Sequence, residues 1–471
     1  MDELMSLLEV ADTLERLYTH DPSRFSVEPR IAQLAVTPDF HKARGVPVGS
    51  VIAARGFVVP QAIGTDINCG MRLHTTTLSA DAVHRNLEAI DTAMRHLFFE
   101  GGRDIPMTGR QREALFLGGL EALFDATPAD WRPGLWRLVA ELGLADQLDW
   151  VERRGSLEAS RALGLEDFIG DRTQPSRDAQ IGSIGGGNHF VEVQVVHKVL
   201  DRVTAHAWGL TPGMITVMVH TGSVSIGHRS AAHYRDSLRT AFPAGMKHPE
   251  NGVYVLPDAE AGGDVAAVFW DALHNAGNFA FANRMFLGVA ALAGLLETCG
   301  DFDSALLYDA PHNFLWREEV NGELLTVHRK GATPARGMEQ MQGGPFAWYG
   351  EPVLVPGSMG ASSFVLAGNG CAESLASASH GAGRVLSRGA AVHGHDEEFE
   401  QFLKEFRVVM PLDLRRPEVR QRRDILEKKL AELKQEAPFA YKGIGPVVDT
   451  LVGSGIARPV AELRPILTVK G

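Results

Sequence analysis

The chain has 471 residues, 46 basic and 58 acidic, for a formal net charge of −12; 45% of its residues are hydrophobic and 22% charged. That mix excludes a chain disordered throughout, because there is ample apolar surface to offset chain entropy. It also excludes a globally basic nucleic-acid coat, so any polyanion must meet a local patch.

Fifty glycines exceed the usual share of about 7%, which predicts many tight loops close to ligands. Three cysteines, Cys69, Cys299 and Cys371, are too few and scattered for a disulfide framework and predict a reducing compartment. The N-terminus begins acidic, without the positive region and apolar core of a signal peptide. The longest apolar stretch, Phe286 to Leu296, is about half of what a bilayer span needs. A cytoplasmic protein with no membrane partner is expected.

In chain order, residues 1–20 read as a short amphipathic helix, and Ile31–Val36, Gly49–Ala53 and Phe57–Val59 as short strands. Residues 79–170, rich in Arg, Leu and Ala, read as a helical insertion, with Ser79 as N-cap and Leu87, Ile90, Met94 and Leu97 as an apolar stripe. Strands return at Phe190–Val199 and Met214–His220, a helical block at 263–298, and strands and loops from Ala305 to Ala367. Residues 396–436 are charge-dense, with Arg415, Arg416, Arg420, Arg422 and Arg423 close together and a helix through Glu432; the run reads as a solvated helix face or as a polyanion patch. Alternating blocks without a βαβ period predict an α+β fold rather than a doubly wound sheet.

Chemistry-bearing residues fall on short, mostly glycine-flanked loops. Asp66 and Cys69, three apart in Gly64–Met71, form either a turn with a buried cysteine or a carboxylate–thiolate pair for a borderline ion such as Mn, Zn or Fe. Gly182–Phe190 exposes backbone N–H groups suited to phosphate oxygens and ends in Asn188-His189, but lacks the Walker pattern. His220 closes a strand before a small-residue loop, and His312-Asn313 repeats the His/Asn pairing in reverse order. Each lone histidine reads more readily as a hydrogen-bonded structural residue, but several in such settings shift the balance towards a metal centre, because imidazole is the commonest metal ligand. His380, in Ser379–Arg384, is accessible enough to be a nucleophile, with general-base or ligand duty as alternatives; Arg384 can meet a phosphate bidentately. Lys470 in the terminal Val469-Lys470-Gly471 is either a disordered tail or a lysine pinned at a phosphate site.

Taken in order, these groups resemble the RtcB family of RNA-splicing ligases, 3′-phosphate/5′-hydroxy nucleic acid ligases. The motifs are DINCGM at 66–71, GGGNHFVE at 185–192, HTGS at 220–223, FANR at 281–284, HN at 312–313 and HRKGAT at 328–333. PVLVPGSMGASS at 352–363, SHGAGRVLSR at 379–388, APFAYK at 437–442 and the VKG terminus complete them. The resemblance implies a single catalytic domain over 1–471 of RtcB-type α+β fold, a central β-rich core surrounded by helices. It implies a GTP-dependent ligase with two Mn²⁺ ions, whose ligands match Asp66, Cys69, His189, His220 and His312, with Cys69 bridging. His380 matches the histidine that becomes guanylylated. Asn188, His189, Phe190, Val191, Glu192, His312, Asn313, Pro356, Gly357, Ser358, Met359, Ser363, Gly381, Ala382, Gly383, Tyr441 and Lys470 match residues around the nucleotide. Lys470 and Arg384 are assigned with His380 to catalysis. The expected partners are GTP and RNA bearing a 3′-phosphate or 2′,3′-cyclic phosphate and a 5′-hydroxyl, with an archease-like activator needed by some family members; a monomer is expected.

Two departures stand out. The family loop H-S-G-S-R-G is here His220-Thr221-Gly222-Ser223-Val224-Ser225, so an arginine expected at an RNA-end phosphate has become Val224. A charge-assisted hydrogen bond of the kind that arginine would make is worth roughly 1.5–3 kcal/mol. A Gly-Lys-Gly stretch after Pro38–His41 has become Lys42-Ala43-Arg44-Gly45. These departures raise an alternative: guanylylation of nucleic-acid 3′-phosphates without efficient sealing, or a metal-dependent phosphoesterase.

Overall fold

Two strands, Phe190–Val199 and Met214–Thr221, are dense in β-branched residues and buried along most of their length, the pattern of strands covered on both faces. They lie in the interior of an antiparallel sheet. Its order is Pro352–Val355, Ser363–Gly368, Ala457–Val469, Phe190–Val199, Met214–Thr221, Gly70–Ser79, Ser304–Pro311. A short strand, Arg407–Val409, adds to Ala457–Val469 in parallel. This computed structural model describes residues 2–43, 45–178, 180–258, 264–414 and 416–471. Helices and sheets together make the α+β fold expected from the sequence.

A second antiparallel sheet runs Arg30–His41, Val48–Arg55, Glu323–Lys330, Asn313–Val320. It joins the first at His312, which lies between the Ser304–Pro311 and Asn313–Val320 strands. The pair Ala332–Pro334 and Ser377–Ser379 delivers the chain to His380. Register sets the site. Phe190 pairs with His220, His220 with Met71, and Gly70 with Pro311, so Cys69, His189, His220 and His312 gather at one end of four neighbouring strands. Gly70 permits that approach: a Cβ there would lie 2.4 Å from the Ala310 carbonyl.

One face of the large sheet packs on the helix Asp264–Cys299, around which Leu87–Phe99, Gly109–Asp125 and Val224–Thr240 are wrapped. By length and composition this helix could cross a membrane, yet 89% of its most apolar window is buried inside the protein. It also carries buried Asn275, Asn278, Asn283 and Arg284. The three asparagines bond backbone of packed segments: Asn275 and Asn278 donate to the Phe116 carbonyl of the Gly109–Asp125 helix, Asn278 bonds both backbone groups of Leu157, and Asn283 both backbone groups of Ser183. Those bonds recover the desolvation cost of the polar groups.

Residues 79–170 form the helices Ala80–Arg85, Leu87–Phe99, Gly109–Asp125, Trp136–Glu141 and Glu166–Ile169. Ser79 caps the first by accepting from the Ala82 N–H at 3.4 Å. The apolar stripe merges with the same core as the long helix. Within 396–436, helices span Asp396–Glu405, Pro417–Gln421 and Arg423–Lys434. Arg415 lies outside the described residues. Arg416 pairs with Asp413 and Arg422 with Asp424, so part of the arginine run is neutralised locally.

Candidate active site

At the gathered strand ends the imidazoles and the thiol converge. Cys69 Sγ lies 3.3 Å from both His189 Nε2 and His220 Nε2, and His220 Nε2 lies 3.3 Å from His312 Nε2. A tetrahedral ion bonded to thiolate at about 2.3 Å and imidazole at about 2.0–2.1 Å separates its ligand atoms by about 3.5 Å, close to the spacing here. His189 Nδ1 lies 3.0 Å from the Ile184 carbonyl, and its Nε2 lies 2.8 Å from Asp66 Oδ2. A proton on Nε2 joins this pair as an ion pair, the place a divalent ion would take over when bound. Asp66 Oδ2 and His312 Nδ1 are also buried without an aligned hydrogen-bond partner.

The electrostatics agree. Burial, with other positive groups nearby, holds His220 and His312 well below the usual histidine range, so both are neutral and available as ligands. Burial would raise Asp66, but His189 beside it brings the carboxyl below its ordinary value. Burial and then the Asp66 carboxylate push the Cys69 thiol well up, a cost that a bound cation would reverse. Thiolate, imidazole and carboxylate together suit a borderline divalent ion. Gly222 makes room for the arrangement: a Cβ there would meet Asp66 Oδ1 at 2.6 Å.

His380 sits beside the cluster, its ring centroid 4.7 Å from that of His312. Its Nδ1 donates to Asp39 Oδ2 at 2.5 Å, and Asp39 Oδ1 accepts from Thr37 Oγ1 at 2.5 Å. Asp39 is fully buried. Burial alone would raise its carboxyl, but the His380 ring and the hydrogen bonds bring it below the ordinary range. With Nδ1 engaged by the carboxylate, Nε2 is the nitrogen that carries the lone pair in the neutral ring. Asp39 is the residue that sequence reasoning missed; it is 341 positions from its partner, and only its place in Pro38-Asp39-Phe40-His41 marked it.

The cluster and His380 open into one cavity of about 830 Å³, also lined by Asn188, Phe190, Asn313, Pro356–Met359, Gly381–Arg384, Tyr441 and Lys470. His41, Lys42, Lys330, Arg388 and Glu436 line it too, unforeseen from sequence. Glu192 and Ser363 lie just behind this wall: Gln194 Nε2 donates to both, Ser363 Oγ accepts from the Gly357 N–H at 3.3 Å, and Thr468 donates to Glu192 at 2.6 Å. Burial raises the Glu192 carboxyl to about 7.

Two expected residues sit differently from their assignments. Val191 is fully buried in the core and does not line the cavity. Arg384 lines it, but its guanidinium is spent on Glu436, Tyr441 and the Gln435 and Leu386 carbonyls, leaving no free fork for a phosphate in this conformation. Lys470 is no loose tail: its amine donates to the carbonyls of Gly187 and His189, and burial lowers it to about 8. Val224 begins the Val224–Thr240 helix with a left-handed φ of 44°. Its N–H donates to Asp66 Oδ1 at 3.2 Å.

The family described as tRNA-splicing ligase RtcB matches residues 24–471. The chain is 33% identical to the tRNA-splicing ligase RtcB of Thermococcus kodakarensis, covering 100% of this chain and 93% of that protein. It is 32% identical to the protein of that name in Archaeoglobus fulgidus, covering 93% and 87%. Against the RNA-splicing ligase RtcB of Mycobacterium bovis the figures are 33%, 92% and 96%.

Proposed function

The chain belongs to the RtcB family of tRNA-splicing ligases, and on that premise we propose that it is a GTP- and Mn²⁺-dependent RNA ligase. It joins an RNA 3′-phosphate or 2′,3′-cyclic phosphate end to a 5′-hydroxyl end, in RNA repair or tRNA splicing. The observation that carries the reading is the Asp39–His380 hydrogen bond on the wall of the cavity that holds the Cys69 cluster.

Asp66, Cys69, His189, His220 and His312 are the proposed holders of two Mn²⁺ ions, which when bound neutralise triphosphate charge and charge developing at the α-phosphorus. Nε2 of His380 attacks that phosphorus, forming a P–N bond as the bond to the β-phosphate oxygen breaks and pyrophosphate leaves. The proton stays on Nδ1, hydrogen-bonded to the Asp39 carboxylate, whose charge offsets the positive charge appearing on the ring. An RNA 3′-phosphate oxygen then displaces His380, taking the guanylyl group as a phosphoanhydride. The RNA 5′-hydroxyl attacks the RNA phosphorus, loses its proton, and GMP departs as the phosphodiester closes. A 2′,3′-cyclic phosphate is first hydrolysed to the 3′-phosphate. Lys470, held beside the Gly185–Gly187 loop, supplies a fixed positive charge to the transferring phosphoryl group.

Incubation with Mn²⁺ and α-labelled GTP should give an acid-labile protein label that is lost in His380→Ala. Unlabelled wild type, folded and metal-loaded, would overturn the reading. A second reading rests on Val224: with valine where the family arginine is expected, the chain guanylylates 3′-phosphates without efficient joining. A labelled protein that caps RNA but leaves 5′-hydroxyl ends unjoined would favour it.

A further inference from the structure

The ligand cluster depends on four separate segments arriving in register, and one buried side chain touches three of them. Arg284, on the Asp264–Cys299 helix, is fully buried. Its Nε donates to Asp309 Oδ1 at 2.8 Å, and Nη1 donates to the Asn68 carbonyl at 2.5 Å and the Thr221 carbonyl at 3.2 Å. Nη2 donates to Asn68 Oδ1 at 2.9 Å. Each contacted residue lies within three positions of a ligand in the chain. Asn68 lies between Asp66 and Cys69, Thr221 follows His220, and Asp309 opens the run that ends at His312.

The contacts meet a specific need. Asn68 holds a left-handed φ of 57° in the turn that presents Asp66 and Cys69, a conformation L side chains seldom adopt. Its side chain is clamped on both sides, by Arg284 and by donation from Nδ2 to the Gly277 carbonyl at 2.9 Å. Asp309 is fixed in turn, since its second oxygen accepts from Arg72 Nη1 at 3.1 Å. The neighbouring Asn283 does the same for the segment before His189: its Nδ2 donates to the Ser183 carbonyl at 2.9 Å and to the Gly222 carbonyl at 3.1 Å.

We propose that Arg284 is a positioning residue whose planar guanidinium locks the Asn68, Thr221 and Asp309 segments together, so that the metal-ligand cluster is preformed at its working geometry. The inference rests on the metal reading of that cluster. A lysine retains the charge but presents a compact ammonium that cannot reach three directions in one plane, so geometry, not charge, is what the substitution removes. Partners that orient ligands from behind typically carry 10–100-fold in metal affinity.

The test uses Co²⁺ as probe, with the full-length protein, reading the near-ultraviolet thiolate-to-cobalt charge-transfer band, the titrated affinity and the thermal midpoint. Arg284→Lys should weaken Co²⁺ binding about 10–100-fold and reduce or shift the band. Asn68→Gly, which keeps the left-handed turn but removes the Oδ1 contact, should give a smaller loss in the same direction; it decides the matter if Arg284→Lys does not fold. A variant that unfolds earlier yet keeps wild-type affinity and spectrum would overturn the positioning role and leave only a structural one. Absence of the band in wild type would overturn the metal reading itself, and this inference with it.

Discussion

Replacing Asp39 with asparagine preserves the size of the group behind His380 while removing its charge. The carboxylate accepts the Nδ1 proton at 2.5 Å in a fully buried setting, a charge-assisted bond worth about 1.5–3 kcal/mol. At about 1.36 kcal/mol per decade, Asp39→Asn should slow transfer of label from GTP to the protein about 10- to 160-fold. A second effect acts in the same direction: the carboxamide can donate to Nδ1, which moves the ring proton to Nε2 and leaves the attacking nitrogen without its lone pair. The assay is a single-turnover measurement of acid-labile label in excess Mn²⁺ and α-labelled GTP. Thr37→Val, which removes the bond to Asp39 Oδ1 and a longer one to the Gly49 carbonyl, should cost several-fold at most. An Asp39→Asn protein labelled at the wild-type rate would refute the argument that the dyad orients and charges His380.

Glu192 shifts from 4.5 to about 7 because it is buried. The folded state therefore holds its proton more tightly than the unfolded one, and stability is lost as pH rises from about 4.5 to about 7. The loss amounts to roughly 3 kcal/mol, so the advantage of Glu192→Gln in thermal midpoint should grow between pH 5 and pH 8; a pH-independent difference would contradict the burial argument. His328 has the opposite sign: burial lowers it from 6.5 to about 4, while Nε2 accepts from the Val59 N–H and Nδ1 donates to the Ile52 carbonyl. Its stabilisation is complete above pH 6.5 and lost as pH falls towards 4, by roughly 3 kcal/mol. Urea unfolding at pH 7.5, 6 and 5 should show a shallower acid limb in His328→Gln, and parallel limbs would refute the assignment. Val224→Arg should raise joining of RNA 3′-phosphate and 5′-hydroxyl ends by about 10-fold or more with guanylylation of His380 unchanged; no gain would count against the reading of Val224.

What the sequence disclosed, and what it hid, follow from the range of the interactions involved. The strands at Phe190–Val199 and Met214–Thr221 were legible because their burial is written locally in β-branched residues. Loops rich in glycine next to histidine marked the proposed ligands for the same reason. Val191 could have been set aside by the same logic: successive strand residues face opposite sides, so Phe190 and Glu192 share a side that Val191 does not. Arg384 could not, because the groups that occupy it, Gln435, Glu436 and Tyr441, approach from 51 to 57 positions away. The partners of Asp39 and Arg284 were hidden for that reason too, one bonded to His380 across 341 positions and the other to Asn68 across 216.

These non-local partners also explain why the ligand motifs alone underdetermine the chemistry. A slip of one residue between the Gly70–Ser79 and Met214–Thr221 strands would turn His220 to the opposite face and disperse the cluster without changing a single motif. The register is pinned from below, by a helix that is apolar enough to read as simple core. Its Asn283 and Arg284 hold the loops bearing His189, His220 and Cys69, and the arginine's grip on Asp309 fixes the approach to His312. The chemistry-bearing residues are thus readable from their neighbours in sequence, whereas the geometry that makes them a site resides in polar groups of the long helix, whose sequence neighbours are hydrophobic.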